Sequence, residues 1–140
     1  MSQGIDVPPV QLKGGRSVEL PGLTHGSNPI PTGARVGGLV CSSGIAGKDR
    51  ASGALPSSER EQVVHAFKNM RDFLVQAGAG LEHVVRVTVH LSRDDLREAV
   101  NQAWLTCFPD PQDRPARHTI IHDLPYGMAV QLELIAMVDA

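Results

Sequence analysis

Residues Val84 to Leu91 alternate strictly, with Val85, Val87, Val89 and Leu91 on one side and Arg86, Thr88 and His90 on the other. A period of two held over this length predicts a strand with one face in a core and one face outside it. The stretches flanking it keep a different period. Ser58 followed by Glu61 is a capping-box pattern, and Val63, Phe67, Met70, Leu74 and Ala77 then recur at helical spacing until Gly78 stops the run. Beyond the strand, Leu96, Ala99, Val100, Ala103 and Cys107 form a second helical stripe, from about Asp94 to Phe108, which Pro109 ends. A half-buried strand between two amphipathic helices needs further strands to complete its layer, so an α+β fold is expected.

Those further strands are sought at both ends. Val36 to Ser43 reads as one short β-prone run closed by Gly44, which places Ser43 and Gly44 at a strand end; residues 47–56 read as a loop with turns at Lys48-Asp49 and Ser52-Gly53. The first thirty or so residues, with Pro8-Pro9, Pro21-Gly22 and Pro29, allow short strands such as Val18-Glu19-Leu20 but no helix. The last third carries two strands, about Arg117 to Asp123 and Ala129 to Val138, joined through Leu124-Pro125-Tyr126-Gly127 and most simply paired as a hairpin. At 140 residues the chain suits one core and is too short for two. The expected architecture is a single domain over residues 1–140, irregular through residue 27, with two helices packed on one face of a mixed sheet.

A net charge of −2 provides no global attraction to phosphate backbones or anionic lipid. No run approaches the roughly 20 apolar residues of a spanning helix, and Met1 to Leu20 has no apolar core with a basic flank. A cytoplasmic protein is therefore expected, with a small molecule rather than nucleic acid or membrane as its partner. Cys41 and Cys107 stand far apart among apolar residues and are expected to be buried free thiols. A metal site built from His90, His118 and His122 is conceivable but not expected, because no carboxylate or thiolate is spaced to complete its shell.

Arg114-Pro115-Ala116-Arg117, then Leu124-Pro125, then the strand Val130-Gln131-Leu132-Glu133-Leu134-Ile135-Ala136 make up the most specific pattern in the chain. Ser43-Gly44, Asn69, Ala77-Gly78, Asn101, Trp104 and Phe108 support it. Together these pieces resemble the Rid family of reactive-intermediate deaminases, from about Asn28 to Val138. The resemblance implies a chorismate-mutase-like fold with a six-stranded sheet, a homotrimer, and three equivalent sites in the clefts between subunits. It also implies an activity: cofactor-free hydrolysis of an unstable enamine or imine to an oxo acid and ammonia.

In that family an arginine at the position of Arg117 holds the substrate carboxylate, a task for which a planar donor fork is suited. The competing and less favoured reading makes Arg117 an exposed or inter-subunit ion-paired strand residue. The family's water-orienting glutamate falls on Gln131, which can hold a water but cannot take its proton as a carboxylate would. Glu133, two residues on and on the same strand face, is the preferred acid-base group, with the strand slightly displaced, although an inter-subunit ion pair accounts for it almost as well; the other course is positioning alone, with substrate groups moving the protons. Ser43 and Gly44 would offer backbone N–H groups and Asn101 a side-chain amide. Thr119 stands where another common member has cysteine, Ile30 where many have tyrosine, and His118 borders Arg117.

The run Arg114 to Thr119 and the Gly-Met after Leu124-Pro125-Tyr126 look like the branch containing 2-aminomuconate deaminases. A dicarboxylic enamine of that kind, or a chloro-substituted relative, would need a second cationic or hydrogen-bonding contact, for which His118, Arg35 and Arg114 are candidates. Two other readings stay open. One is a general deaminase for 2-aminoacrylate and other 2-imino acids; the other is an oxo-acid-binding regulatory trimer without catalysis, suggested by Gln131.

Overall fold

The computed structural model describes residues 15–139; Pro8-Pro9 and the rest of the first fourteen residues lie outside that range. Seven strands form one mixed sheet: β1 (Ser17–Val18), β2 (Gly33–Val36), β3 (Leu39–Ser42), β4 (Ile45–Ala46), β5 (Val84–Leu91), β6 (Ala116–Ile121) and β7 (Val130–Met137). Their order is β1-β2-β3-β7-β5-β6, with β4 also paired to β7. The sheet is six positions wide, as expected, but holds seven strands. Cys41 lies opposite Ile135, whereas Ile45 lies opposite Leu132, a slip of one residue that breaks a single position into β3 and β4 at Ser43-Gly44.

Helix α1 (Glu59–Gln76) begins where the capping pattern predicts, with the Ser58 side chain accepting from the Glu61 N–H. Its C-terminal end is closed by Gly78 at φ 76° and by Arg35, whose Nη1 donates to the carbonyl of Ala77 at 2.8 Å. Helix α2 (Arg97–Cys107) follows a 3₁₀ turn at Asp94–Leu96. Val63, Met70, Phe73 and Leu74 of α1 and Val100 and Trp104 of α2 are buried together with Val40, Val87, Val89, Leu91, Leu132 and Ala136 of the sheet. The opposite, uncovered face presents Arg86, Thr88, His90, Gln131 and Glu133, and exposes Val36, Leu39, Ile135 and Met137.

Four expectations are corrected. The run Val36 to Ser43 is two strands, since Gly37 takes φ 59° and Gly38 passes so near Val138 that a Cβ would meet its carbonyl oxygen at 2.2 Å. Residues 117–138 are not a hairpin: β5 lies between β6 and β7, parallel to the first and antiparallel to the second. A strand with a buried apolar face needs a partner on each edge. The α2 crossover delivers β6 parallel to one edge, and residues 122–129 then cross the end of β5 to deliver β7 to the other. A bulge between Val84 and Arg86 turns Val84 inward, leaving Val85 exposed rather than in line with Val87. Finally, Cys41 is exposed on the uncovered face and Cys107 is half-buried, so neither is a core thiol; partial burial pushes the Cys107 thiol pKa up.

Gly33 shows how closely the layers approach. A Cβ there would fall 2.2 Å from the Phe73 ring and 2.6 Å from the carbonyl oxygen of Cys41. Because Phe73 is fully buried, it has nowhere to yield. Gly33→Ala is expected to cost about 2–3 kcal/mol in a urea titration.

Candidate active site

Arg117 stands on β6 opposite Val87, and paired residues share a sheet face, so its side chain points toward the helices. There its Nη2 donates to Asn101 Oδ1 of α2 at 2.6 Å and its Nε to Thr119 Oγ1 at 3.2 Å. The guanidinium lies 5.1 Å from the Trp104 ring centroid, and Trp104 in turn packs on Phe108 at 4.7 Å. Partial burial, and secondarily the charge of Arg97, lower the Arg117 pKa from its ordinary value, although an arginine stays charged at neutral pH. None of the ion pairs among the described residues involves Arg117. An oriented fork without a carboxylate partner has the character of an anion-binding group.

Gln131 and Gly44 meet elsewhere. Both line a cavity of about 480 Å³, together with His25, Asn28, Ala46, Lys48, Tyr126 and Met128. A Cβ on Gly44 would come within 2.5 Å of the Gln131 amide, so only glycine lets that side chain lie across the chain here. The His25 Nε2 donates to the Gly44 carbonyl at 3.2 Å. At the rim, Tyr126 takes the left-handed backbone conformation, φ 62° and ψ 24°, and leaves 90% of its surface exposed.

Several candidate residues take other positions. Ser43 is adjacent to the cavity, but its N–H donates to Thr32 O and its hydroxyl to Pro31 O, both at 2.8 Å, so it offers no spare amide within the chain. Ile30 lies in a neighbouring groove with Pro29 and Pro31. Glu133 is outside the cavity: its Oε1 accepts from His90 Nε2 at 3.0 Å, and His90 Nδ1 lies 2.9 Å from His122 Nε2. The carboxylate thus reaches one of the three histidines, His90, and both nitrogens of His90 are engaged by these contacts. No group of three or more ligands among the described residues is arranged for a metal. His118 is exposed, opposite Thr88 on the uncovered face. Arg35 and Arg114 are occupied by backbone carbonyls, Arg114 at Phe108 and Pro109.

Asn69, a buried polar residue on α1, donates to the carbonyls of Ala46 and Lys48 and so shapes the cavity wall. Lys48, His25 and Tyr126 escaped the sequence reading. Lys48 had one legible signal: Gly44, Ala46 and Lys48 continue an alternation past the end of β4, which keeps them on one face.

An α+β sheet with an arginine fork that has no carboxylate partner among the described residues at one edge, and an amide-lined cavity elsewhere, is a layout suited to binding a small molecule. A family model described as Endoribonuclease L-PSP matches residues 28–138, and the chain belongs to that family, which includes the Rid proteins. It is 30% identical over 115 residues to a RutC family protein of Aquifex aeolicus, covering 78% of this chain and 92% of that one. It is 31% identical over 110 residues to the mouse 2-iminobutanoate/2-iminopropanoate deaminase, covering 78% and 81%. The crystal structure of RidA from a Psychrobacter species shares the fold, with a TM-score of 0.79 at 23% identity over 88% of this chain and 99% of that one. No helix of the described residues is long and apolar enough to cross a membrane.

Proposed function

We propose that the protein is a deaminase that adds water to a 2-imino acid or its enamine tautomer, releasing a 2-oxo acid and ammonia at sites completed between the subunits of a homotrimer. One observation carries this reading. Arg117 points to the helix side of β6, Gln131 to the uncovered side of β7, and β5 separates them. Two strand spacings across and three residues along put their Cα atoms roughly 14 Å apart, on opposite faces. Within one chain they cannot hold one small substrate; the edge of one subunit brought to the cavity of the next would join them. The apolar residues left exposed on the uncovered face, Leu39, Ile135 and Met137, suit such an assembly.

In this arrangement Arg117 grips the substrate carboxylate and Asn101 and Thr119 hold the fork in place. Gln131 holds the water beside the imine carbon. Attack forms the C–O bond while the C=N π pair moves onto nitrogen. The water's protons pass to that nitrogen, and collapse of the carbinolamine expels ammonia. A glutamine cannot take up a proton, so the substrate's own amine serves as acceptor. Glu133 acts, if at all, through His90. A ribonuclease role, which the family description invites, gains no support from a chain of net charge −2.

Ammonia release from imines made in situ by an amino-acid oxidase tests the reading, and a rate equal to buffer alone would overturn it. Gln131→Glu is the second arm: restoring a carboxylate at the cavity is expected to raise turnover of 2-iminobutanoate about tenfold or more. If the parent protein binds oxo acids but yields no ammonia while Gln131→Glu is active, the regulatory reading suggested by Gln131 replaces the enzymatic one. Within the enzymatic reading, 2-aminomuconate or a chloro analogue is the specific substrate favoured by the sequence around Arg117 and Tyr126, and ammonia release from enzymatically generated 2-aminomuconate is its direct assay.

A further inference from the structure

We infer that Lys48 is the specificity-determining residue of the cavity and selects imino acids whose side chain ends in a second carboxylate. This rests on the deaminase reading and adds to it a named residue and a substrate class. Among the residues lining the cavity, Lys48 is the one lysine or arginine, and there is no aspartate or glutamate. None of the ion pairs among the described residues involves Lys48. Its Nζ makes one marginal contact, 3.5 Å from the carbonyl oxygen of Thr24. The cations considered for this role from sequence, Arg35 and Arg114, are spent on backbone carbonyls.

The root of Lys48 is held firmly. Asn69 Nδ2 donates to Ala46 O at 3.0 Å and to Lys48 O at 2.9 Å, clasping the chain on both sides of Gly47. Gly47 itself passes so close to α1 that a Cβ would fall 2.0 Å from the carbonyl oxygen of Gln62. Only the side chain beyond the Lys48 backbone is left to adjust, which lowers the entropy lost when an anion is gripped. Gln131, His25 and Asn28 are among the polar groups of the cavity, and Leu23, Leu55, Ala46 and Met128 supply apolar wall. A ligand with a polar reacting head, a short hydrocarbon stem and an anionic tail matches that sequence of surfaces. An ammonium at the cavity wall without a carboxylate partner among the described residues is an attractor for such a tail.

The test compares two imines made in situ by an amino-acid oxidase, 2-iminoglutarate and 2-iminobutanoate. Lys48→Met is expected to raise KM for 2-iminoglutarate about tenfold while leaving KM for 2-iminobutanoate within about twofold. Lys48→Glu should extend the loss on the dicarboxylate, and Lys48→Arg should retain most of the preference. Equal effects on both substrates, or no effect on the dicarboxylate, would overturn the assignment. Calorimetric binding of 2-oxoglutarate and 2-oxobutanoate to the parent protein and Lys48→Met provides a reading independent of turnover. If neither imine is hydrolysed, the deaminase reading fails; Lys48 then stands or falls on whether Lys48→Met weakens 2-oxoglutarate alone.

Discussion

Arg117→Ala is expected to lower kcat/KM for any 2-imino acid by roughly 100-fold or more, about 3 kcal/mol, the scale of two charge-assisted hydrogen bonds to a carboxylate. Arg117→Lys should recover only a small part, because an ammonium keeps the charge but not the planar fork. The fold should tolerate the change well. Arg117 sits at a sheet edge, and its contact with Trp104 is worth about 1 kcal/mol at a partly exposed site. A catalytic loss therefore separates from a folding loss when kcat/KM and the unfolding midpoint are measured on the same preparation. An unchanged kcat/KM in Arg117→Ala would remove the anchor from the proposed chemistry. Asn101→Ala, which frees the fork without removing it, should act in the same direction and more weakly.

Gln62→Ala is expected to have the largest effect on stability, about 3 kcal/mol, or a fall of roughly 10 °C in Tm for a domain of this size. Gln62 lies in the first turns of α1 and is 3% exposed. Its Nε2 donates to Pro56 O at 3.0 Å and to Gly127 O at 3.3 Å, and its Oε1 accepts from the N–H of Ala129 at 2.8 Å. One amide thus ties the helix to the segment before it and to the turn before β7. Truncation leaves the buried Ala129 N–H without a partner, and an unpaired buried donor costs more than its hydrogen bond contributes. The same turn carries Tyr126 and Met128 of the cavity, so KM should rise even where the variant remains folded. A thermal scan that shows no shift would mean that water or the turn itself satisfies those groups.

Local pattern was sufficient for the elements whose signals are local. The stop at Gly78, the cap at Ser58 and the extent of β5 follow from residues within a few positions of one another. The helix-side or open-side facing of Gln131 and Glu133 follows from period two within one strand. Arg117 was legible as a candidate because the Pro-Ala-Arg pattern marks it, although its partners Asn101 and Thr119 were named only by resemblance. What failed was whatever depends on a partner distant along the chain. Val85 is apolar and in phase with Val87, but the bulge opposite β7 decides that Val84 is the buried one. Glu133 looked like the better acid-base group because it carries a carboxylate; its engagement by His90 and its place outside the cavity come from β5 lying beside β7.

The sequence by itself determined the two helices, the extent of β5 and the presence of strands at β6 and β7, because these depend on backbone propensity and side-chain period over a few residues. Only the tertiary structure decided that β5 enters between β6 and β7, that Arg117 and Gln131 look out from opposite faces, and that Lys48 is the cation of the cavity. Strand pairing is chosen by the burial of whole faces across many residues of separation, and no local run of side chains carries that choice.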